Sequence, residues 1–231
     1  MASEAVILAG GFGARLKKRI ETLPKPMAPV NGRPFLEYIM DHLLGFGINH
    51  FILSTGHLSD IIEDHFGSLY RDTKVTYSRE EKPLGTGGAI KRALNLCNTE
   101  EVLVVNGDTL FTANINALEE LHRKSGADIS IALLTLQDKA RYGSVVTDES
   151  NRIIAFNEKN TSGGRGEING GIYIINKNVV LSYAQPEQFS IELDFFMPYL
   201  RELRIYGYRS DQYFIDIGTP GDYEKAIREL Q

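Results

Sequence analysis

Leu8-Ala9-Gly10-Gly11-Phe12-Gly13-Ala14-Arg15-Leu16 is the stretch on which the fold turns. It overlaps the end of a short apolar run, Val6–Ala9, whose length and Val/Ile/Leu content read as a strand buried on both faces. Glycines at the carboxyl end of such a strand let the backbone come close to an anion and point several N–H groups at it. Arg15 adds a planar, permanently charged fork that matches phosphate oxygens. Taken alone, the segment fits equally well a tight strand–helix turn carrying a surface arginine. Two other phosphate loops do not fit. The P-loop pattern, Gly, four residues, then Gly-Lys-Ser/Thr, is absent. The dinucleotide pattern needs a third glycine where Leu16 stands, which disfavours hydride-transfer chemistry.

Outward from this junction, strand-length apolar runs alternate with helical spacing. Phe51–Ser54, Val102–Asn106 and Asp128–Leu134 read as further buried strands. Pro34 suits a first helical position, and Phe35, Tyr38, Ile39, Leu43 and Leu44 then recur on one helical face, with Gly45 and Gly47 to end it. Leu58–Phe66, Gly87–Leu96 and Ile115–Lys124 give three more helices. This alternation predicts an α/β fold: a doubly wound, Rossmann-like, mostly parallel sheet with right-handed crossovers. After about residue 140 the pattern changes. Short strand candidates at Ser144–Thr147, Ile153–Phe156 and Ile168–Ile175 are separated by glycine-rich turns such as Thr161–Gly166, which predicts a small mixed, partly antiparallel lobe. Leu193–Leu200 and Tyr223–Leu230 read as helices, the second entered through Thr219-Pro220. With no linker, repeat or low-complexity tract, one domain over 1–231 is expected, divided into a first half, 1–135, and a second, 136–231.

The chain has 231 residues, 42% of them apolar and 24% charged, enough for a sizeable core and too apolar for disorder. Its net charge of −5 argues against a nucleic-acid partner, so any polyanionic ligand must be held by a local cluster of cations. A single cysteine, Cys97, fits a reducing compartment, and its neighbours Leu94 and Leu96 favour a buried thiol over a nucleophile. Ala5–Ala9 is too short to span a membrane and lacks the features of a signal peptide, so no membrane partner is expected and the cytoplasm is the expected location. His42, His50, His57, His65 and His122 show no metal-ligand spacing.

Pro24-Lys25-Pro26-Met27 follows the basic stretch Lys17-Lys18-Arg19. Prolines on both sides of Lys25 restrict where its ammonium points, which suits a fixed contact to a triphosphate or to leaving pyrophosphate. Leu8-Ala9-Gly10-Gly11, Gly13, Arg15 and Pro24-Lys25-Pro26-Met27 together resemble the signature of the sugar-1-phosphate nucleotidyltransferases, and the resemblance continues at the right intervals over nearly the whole chain. It implies the GT-A-like fold of nucleotide-diphospho-sugar transferases, a nucleotide-binding first half and a sugar-phosphate-binding second half. It also implies a Mg²⁺-dependent reaction that joins a sugar 1-phosphate to a nucleoside triphosphate and releases pyrophosphate. On that resemblance Leu8, Ala9, Gly10, Gly11, Gly13 and Arg15 bind nucleotide, and Arg15, Lys25 and Asp108 are catalytic.

The same resemblance places Glu80, Gly85 and Thr86, in Glu80-Glu81-Lys82-Pro83-Leu84-Gly85-Thr86-Gly87-Gly88-Ala89, around the nucleobase. Thymidylyl- and uridylyltransferases carry glutamine where Glu80 stands. A carboxylate only accepts hydrogen bonds, and guanine offers N1–H and N2–H₂ side by side, so Glu80 points to GTP. Asn106-Gly107-Asp108 puts a carboxylate at a strand's carboxyl end, and Asp216 ends another apolar run; the family uses these positions as metal ligands, while a β-turn and a helix-proximal cap are the ordinary readings of each alone. Tyr142-Gly143, Glu158-Lys159 and Asn169-Gly170 match sugar-phosphate elements, although a Glu-Lys pair by itself is also a common surface ion pair. Within the family the segments Lys25–Val30, Gly85–Ile90, Asn106–Phe111 and Phe189–Glu192 are most similar to guanylyltransferases of D-glycero-α-D-manno-heptose 1-phosphate, with mannose 1-phosphate the near alternative. A catalytically silent sugar-nucleotide-binding module is the reading from another class, and retention of both carboxylates argues against it. A homo-oligomer is compatible with the sequence, which shows no interface for one.

Overall fold

The computed structural model describes residues 2–11, 22–157 and 163–230. In chain order its strands are β1 Glu4–Leu8, β2 Pro29–Val30, β3 Arg33–Pro34, β4 His50–Thr55, β5 Leu69–Tyr70, β6 Thr73–Arg79 and β7 Glu101–Asn106. They continue with β8 Thr109–Phe111, β9 Ile129–Leu136, β10 Ser144–Thr147, β11 Ile153–Asn157, β12 Gly166–Asn176, β13 Ile205–Ser210 and β14 Phe214–Asp216. The helices are α1 Phe35–Leu44, α2 Ser59–Phe66, α3 Gly85–Leu94, α4 Ile115–Ser125, α5 Lys177–Ser182 and α6 Pro220–Glu229.

Strands β7, β1, β4 and β6 run parallel in that order, joined by helical crossovers. Side chains alternate across them: Ala5, Ile7, Phe51, Leu53, Leu103 and Val105 face one core with Phe35, Leu36 and Met40. Val6, Ile52, Val102 and Val104 face the other, with Ile90, Phe195 and Phe196. Burial on both faces is why these strands read as continuous apolar runs. The long strand β12 then lies antiparallel between β7 and β9, with β13 beside β9 and the β10–β11 hairpin at one edge. The expectation of a mostly parallel, doubly wound sheet with a mixed antiparallel portion is met.

Beyond the short strands β2, β3, β5, β8 and β14 and the short helix α5, which the sequence reading did not contain, two longer strands and one helix depart from it. The strand β6 alternates buried and exposed residues and carries Lys74 and Arg79, and β13 contains Gly207, Arg209 and Ser210, so neither presents an unbroken apolar run. The expected helix Leu193–Leu200 is instead a π-wound segment over Ile191–Phe196 followed by turns. Pro198 has no N–H to donate and its ring crowds the carbonyl four residues back, so the α-helical ladder cannot run through it. Met197 N–H reaches back five residues to Glu192 O at 2.9 Å.

At the amino end of β1, Glu4 is buried, at 3% exposure. Its carboxylate accepts from Asn98 N–H (2.6 Å), Thr99 N–H (2.7 Å), the Thr99 hydroxyl (2.9 Å) and Asn98 Nδ2 (3.1 Å), and pairs with His50 Nδ1 (2.8 Å). Burial pushes its pKa up, but the bonds from Thr99, His50 and Asn98 outweigh it and hold the group at about 2. Cys97 is buried and its thiol is pushed up to about 12 by burial, so it is no nucleophile. Among the described residues no helix is long and apolar enough to cross a membrane.

Candidate active site

The parallel strands end in one row. Leu8 is in register with Ser54 on one side and with Asn106 on the other. Beyond that row opens a cavity of about 610 Å³, at the carboxyl edge where open α/β sheets bind ligands. Leu8, Gly10, Gly11, Lys25, Glu80, Gly85, Thr86, Asp108 and Asp216 all line it. Ala9 does not: it is fully buried, and its N–H donates to Ser54 O at 2.7 Å, so the nucleotide contact expected of it has no exposed atom to make it. Gly13 and Arg15 lie outside the described residues, as do Glu158 and Lys159.

At one end of the cavity Glu80 follows directly on β6. Its N–H donates to Thr55 O at 2.8 Å, and its carboxylate accepts from Leu84 N–H at 3.0 Å and from the Ser54 hydroxyl at 3.3 Å. It is therefore a fixed acceptor on the cavity wall, not a solvated surface glutamate. Ser54 carries no motif, and the sequence reading assigned it no role. The one signal was its place at the carboxyl end of a buried strand.

At the other end the side chains of Lys25, Asp108 and Asp216 meet. Lys25 opens a 3₁₀ turn, Lys25–Met27, between its prolines and is buried at 9% exposure. Its ammonium lies 2.5 Å from Asp108 Oδ2 and 3.4 Å from Asp216 Oδ1. The sequence reading gave this ammonium to phosphate; in this structure it joins two carboxylates. These carboxylates come from residues 108 positions apart because β8 and β14 form an antiparallel ribbon, with Asp216 opposite Thr109 and Ile217 N–H donating to Asp108 O at 3.1 Å. Gly107, at the turn into β8, lets the chain pass close to β1: its N–H donates to Leu8 O at 3.0 Å, and a Cβ there would lie 2.6 Å from the same oxygen. The carboxyl of Asp216 is pushed above the ordinary carboxylate range by burial first, opposed by Lys25 and reinforced by the like charge of Asp108.

The donor set fits a hard divalent cation. Two carboxylate oxygens converge on one positive charge, and Mg²⁺ is commonly held by one or two carboxylates plus substrate phosphates and water. Among the described residues no group of three or more His, Cys, Asp or Glu side chains is placed to cage a metal. Such a site would thus depend on its substrate for the remaining ligands.

A second cavity, of about 530 Å³, adjoins the second half of the sheet and is lined in part by Tyr142, Gly143, Asn169 and Glu192. The Tyr142 ring stands edge-on to Phe214, two residues before Asp216, at 6.3 Å between centroids. The Asn169 amide sits at a register shift between β12 and β9. Gly170, expected beside it in the sugar site, lines neither cavity. It is packed against the Phe111 ring, where a Cβ would lie 2.4 Å from the ring, so its place is a packing requirement. Between the cavities, Gly85 adopts φ +69°, and a Cβ there would lie 2.5 Å from Phe189 O. Gly87 N–H donates to Phe189 O at 2.9 Å, and the Thr86 hydroxyl accepts from Ile191 N–H at 3.0 Å. The glycine-rich turn therefore also seats the segment that carries Glu192.

A glycine-lined cavity ending in a carboxylate pair, with a polar cavity beside it, is the layout of an enzyme that transfers a nucleotidyl group to a small phosphorylated acceptor. Residues 4–231 match the nucleotidyl transferase family, and the chain belongs to it. It is 46% identical over 228 residues to the D-glycero-alpha-D-manno-heptose 1-phosphate guanylyltransferase of Aneurinibacillus thermoaerophilus, covering 99% of this chain and 98% of that one. It is 41% identical to the protein of the same name from Campylobacter jejuni, covering 95% of this chain and 96% of that one. The crystal structure of HddC from Yersinia pseudotuberculosis complexed with GMP-PN superimposes with a TM-score of 0.86 at 36% identity, covering 99% of this chain and all of that one.

Proposed function

We propose that this enzyme joins D-glycero-α-D-manno-heptose 1-phosphate to GTP, giving GDP-heptose and pyrophosphate, in the cytoplasm and with Mg²⁺. Near-full-length similarity to two heptose 1-phosphate guanylyltransferases supports the substrates. The observation that carries the chemistry is the convergence of Asp108 and Asp216 on the Lys25 ammonium, opposite the fixed acceptor Glu80 in one cavity.

A phosphate monoester is already a nucleophile, so no strong base is needed; the obstacle is bringing two polyanions together. An oxygen of the sugar phosphate attacks the α-phosphorus of GTP in line, the bond to the bridging oxygen breaks, and pyrophosphate leaves with the electron pair. Glu80 accepts from guanine N1–H and N2–H₂ and so fixes the base. Asp108 and Asp216 would hold Mg²⁺, which when bound would supply neutralisation of phosphate charge. The ammonium of Lys25, at the same end of the cavity, stabilises the triphosphate. Arg15 and Lys159 take the triphosphate and the sugar phosphate on the strength of the resemblance. Positioning and electrostatics supply nearly all the rate gain.

Mass spectrometry of products from a panel of nucleoside triphosphates and sugar 1-phosphates tests the assignment. GDP-heptose as the dominant product supports it. A clear preference for mannose 1-phosphate, or for dTTP or UTP, overturns the corresponding half.

A further inference from the structure

We infer that Ser54 is a positioning residue for nucleotide selection: its hydroxyl holds one oxygen of the Glu80 carboxylate so that both oxygens meet the neighbouring N1–H and N2–H₂ donors of guanine. The inference rests on the guanylyltransferase reading above and deepens it. That reading gives Glu80 the base; Ser54 is what aims Glu80.

The carboxylate of Glu80 is gripped at each oxygen by a different element. The Ser54 hydroxyl donates to Oε1 at 3.3 Å, and Leu84 N–H donates to Oε2 at 3.0 Å. The second bond is local, four residues along the chain, whereas Ser54 stands 26 positions back on the neighbouring strand β4. The main chain of Glu80 is tied to that same strand through Thr55 O, at 2.8 Å. Rotation of a glutamate carboxylate about its last bond is broad, with no strongly preferred plane of its own. Held at one oxygen it still turns; held at both, its plane is set. A plane matters for guanine, whose two donors lie side by side and are matched only by two oxygens presented together. Ordering the carboxylate before the base arrives removes a cost from binding.

Ser54 acts through Glu80 and not on the ligand. It borders the cavity yet is fully buried, at 0% exposure, and its single O–H is given to Glu80. Its own place is rigid, because β4 is paired on both sides, Ser54 standing in register with Leu8 and with Ser78. Gly10 supplies the room. A Cβ there would lie 3.1 Å from Glu80 Oε1 and 3.3 Å from Gly56 N. The glycine that the sequence offered as anion-binding backbone therefore also clears space for the oxygen that Ser54 holds. Ser54 carries no charge, so removing its hydroxyl leaves the charge of the cavity as it was and changes only the aim of Glu80.

The test compares wild type with Ser54→Ala, using GTP, UTP and ITP, which lacks the 2-amino group of guanine. Steady-state kinetics with D-glycero-α-D-manno-heptose 1-phosphate are paired with calorimetric titration of each nucleotide, so that the comparison does not depend on turnover. Wild type should favour GTP over both others. Ser54→Ala should raise KM and Kd for GTP about three- to thirty-fold, within reach of one hydrogen bond to a charged acceptor. Its preference for GTP over ITP should shrink by a comparable factor, while KM for the sugar phosphate stays in place. In a Glu80→Ala background the same substitution should leave the nucleotide ranking as it finds it, since the two residues act as a unit. If Ser54→Ala does not fold, Ser54→Cys, of similar size with a weaker donor, carries the comparison. A GTP/ITP ratio unchanged in the variant overturns the inference, and so does an equal loss for all three nucleotides, which is the mark of a disturbed strand. If wild type itself shows no preference for GTP over UTP, the guanine reading fails and takes the inference with it. A wild-type preference that Ser54→Ala keeps in full sinks the inference alone.

Discussion

In the glycine-lined cavity the polar groups stand on adjoining rows of a parallel sheet, whereas in its neighbour they stand on a turn, a shifted strand register and a π-wound segment. Leu8, Ser54 and Asn106 are fixed by ladder hydrogen bonds, and Asp108 and Asp216 by the β8–β14 ribbon, so the ends of the first cavity are set by the core. Tyr142, Asn169 and Glu192 depend on local packing. The difference teaches that one cavity is built on fixed sheet geometry and the other on segments where a substitution re-aims a side chain without disturbing the sheet.

The largest effect should come from the rigid side. Asp108→Asn should lower kcat by about 10²–10³, as for other single preorganised electrostatic contacts, with the fold intact by circular dichroism. Near-normal pyrophosphate release by that variant would remove Asp108 from the proposed metal site, and chelation of divalent ions in wild type should likewise stop turnover until Mg²⁺ is restored.

Glu4, at the opposite edge of the sheet, separates stability from chemistry. Its folded pKa of about 2 lies below the ordinary 4.5, so its contribution is fully present above about pH 4.5 and is lost as pH falls from there toward 2. At neutral pH that contribution is roughly 3 kcal/mol. Glu4→Gln should cost about that much in urea unfolding, flatten the acid side of the stability profile and leave kcat unaltered. A steep acid limb retained in the variant would assign the loss to other carboxylates.

Glu80→Gln should weaken the preference for GTP over UTP and dTTP by about 1–3 kcal/mol, the value of one bidentate base contact. An unchanged nucleotide ranking would take Glu80 out of base selection. Smallest of all, Arg141→Ala breaks an exposed pair with Asp222 (2.6 Å) between the turn before Tyr142 and α6. Such pairs contribute about 0–1 kcal/mol, so melting should shift slightly and sugar KM hardly at all. A large rise in sugar KM would show that the second cavity is less local than its construction implies.

Much of the first cavity was legible because its signals are local. A buried parallel strand shows as an apolar run, its carboxyl end locates the ligand edge, and Gly10, Gly11 and Asp108 sit just past such runs. The pairing of Asp108 with Asp216 was legible only through the family resemblance, since nothing near either residue encodes a ribbon closed across more than a hundred positions. The carboxylate contacts of Lys25 are a tertiary event of the same kind. The π-wound segment Ile191–Phe196 escaped because the helical spacing of Leu193–Leu200 continues past Pro198 on paper, and a π turn has no periodic signature. Gly170 misled for the opposite reason: a glycine in a matched motif reads as ligand contact, and only the position of Phe111 reveals a packing constraint.

The carbonyl of Phe189 has a further consequence. It receives Gly87 N–H and crowds the Cβ position of Gly85, while one turn further on Thr86 caps Ile191. The two cavities thus share a hinge pin: a change that tilts the turn at Gly85–Gly87 also tilts the segment bearing Glu192. Engineers who widen nucleotide tolerance at residues 84–87 should expect acceptor selectivity to drift in step, and the two specificities to be retuned as one coupled trait.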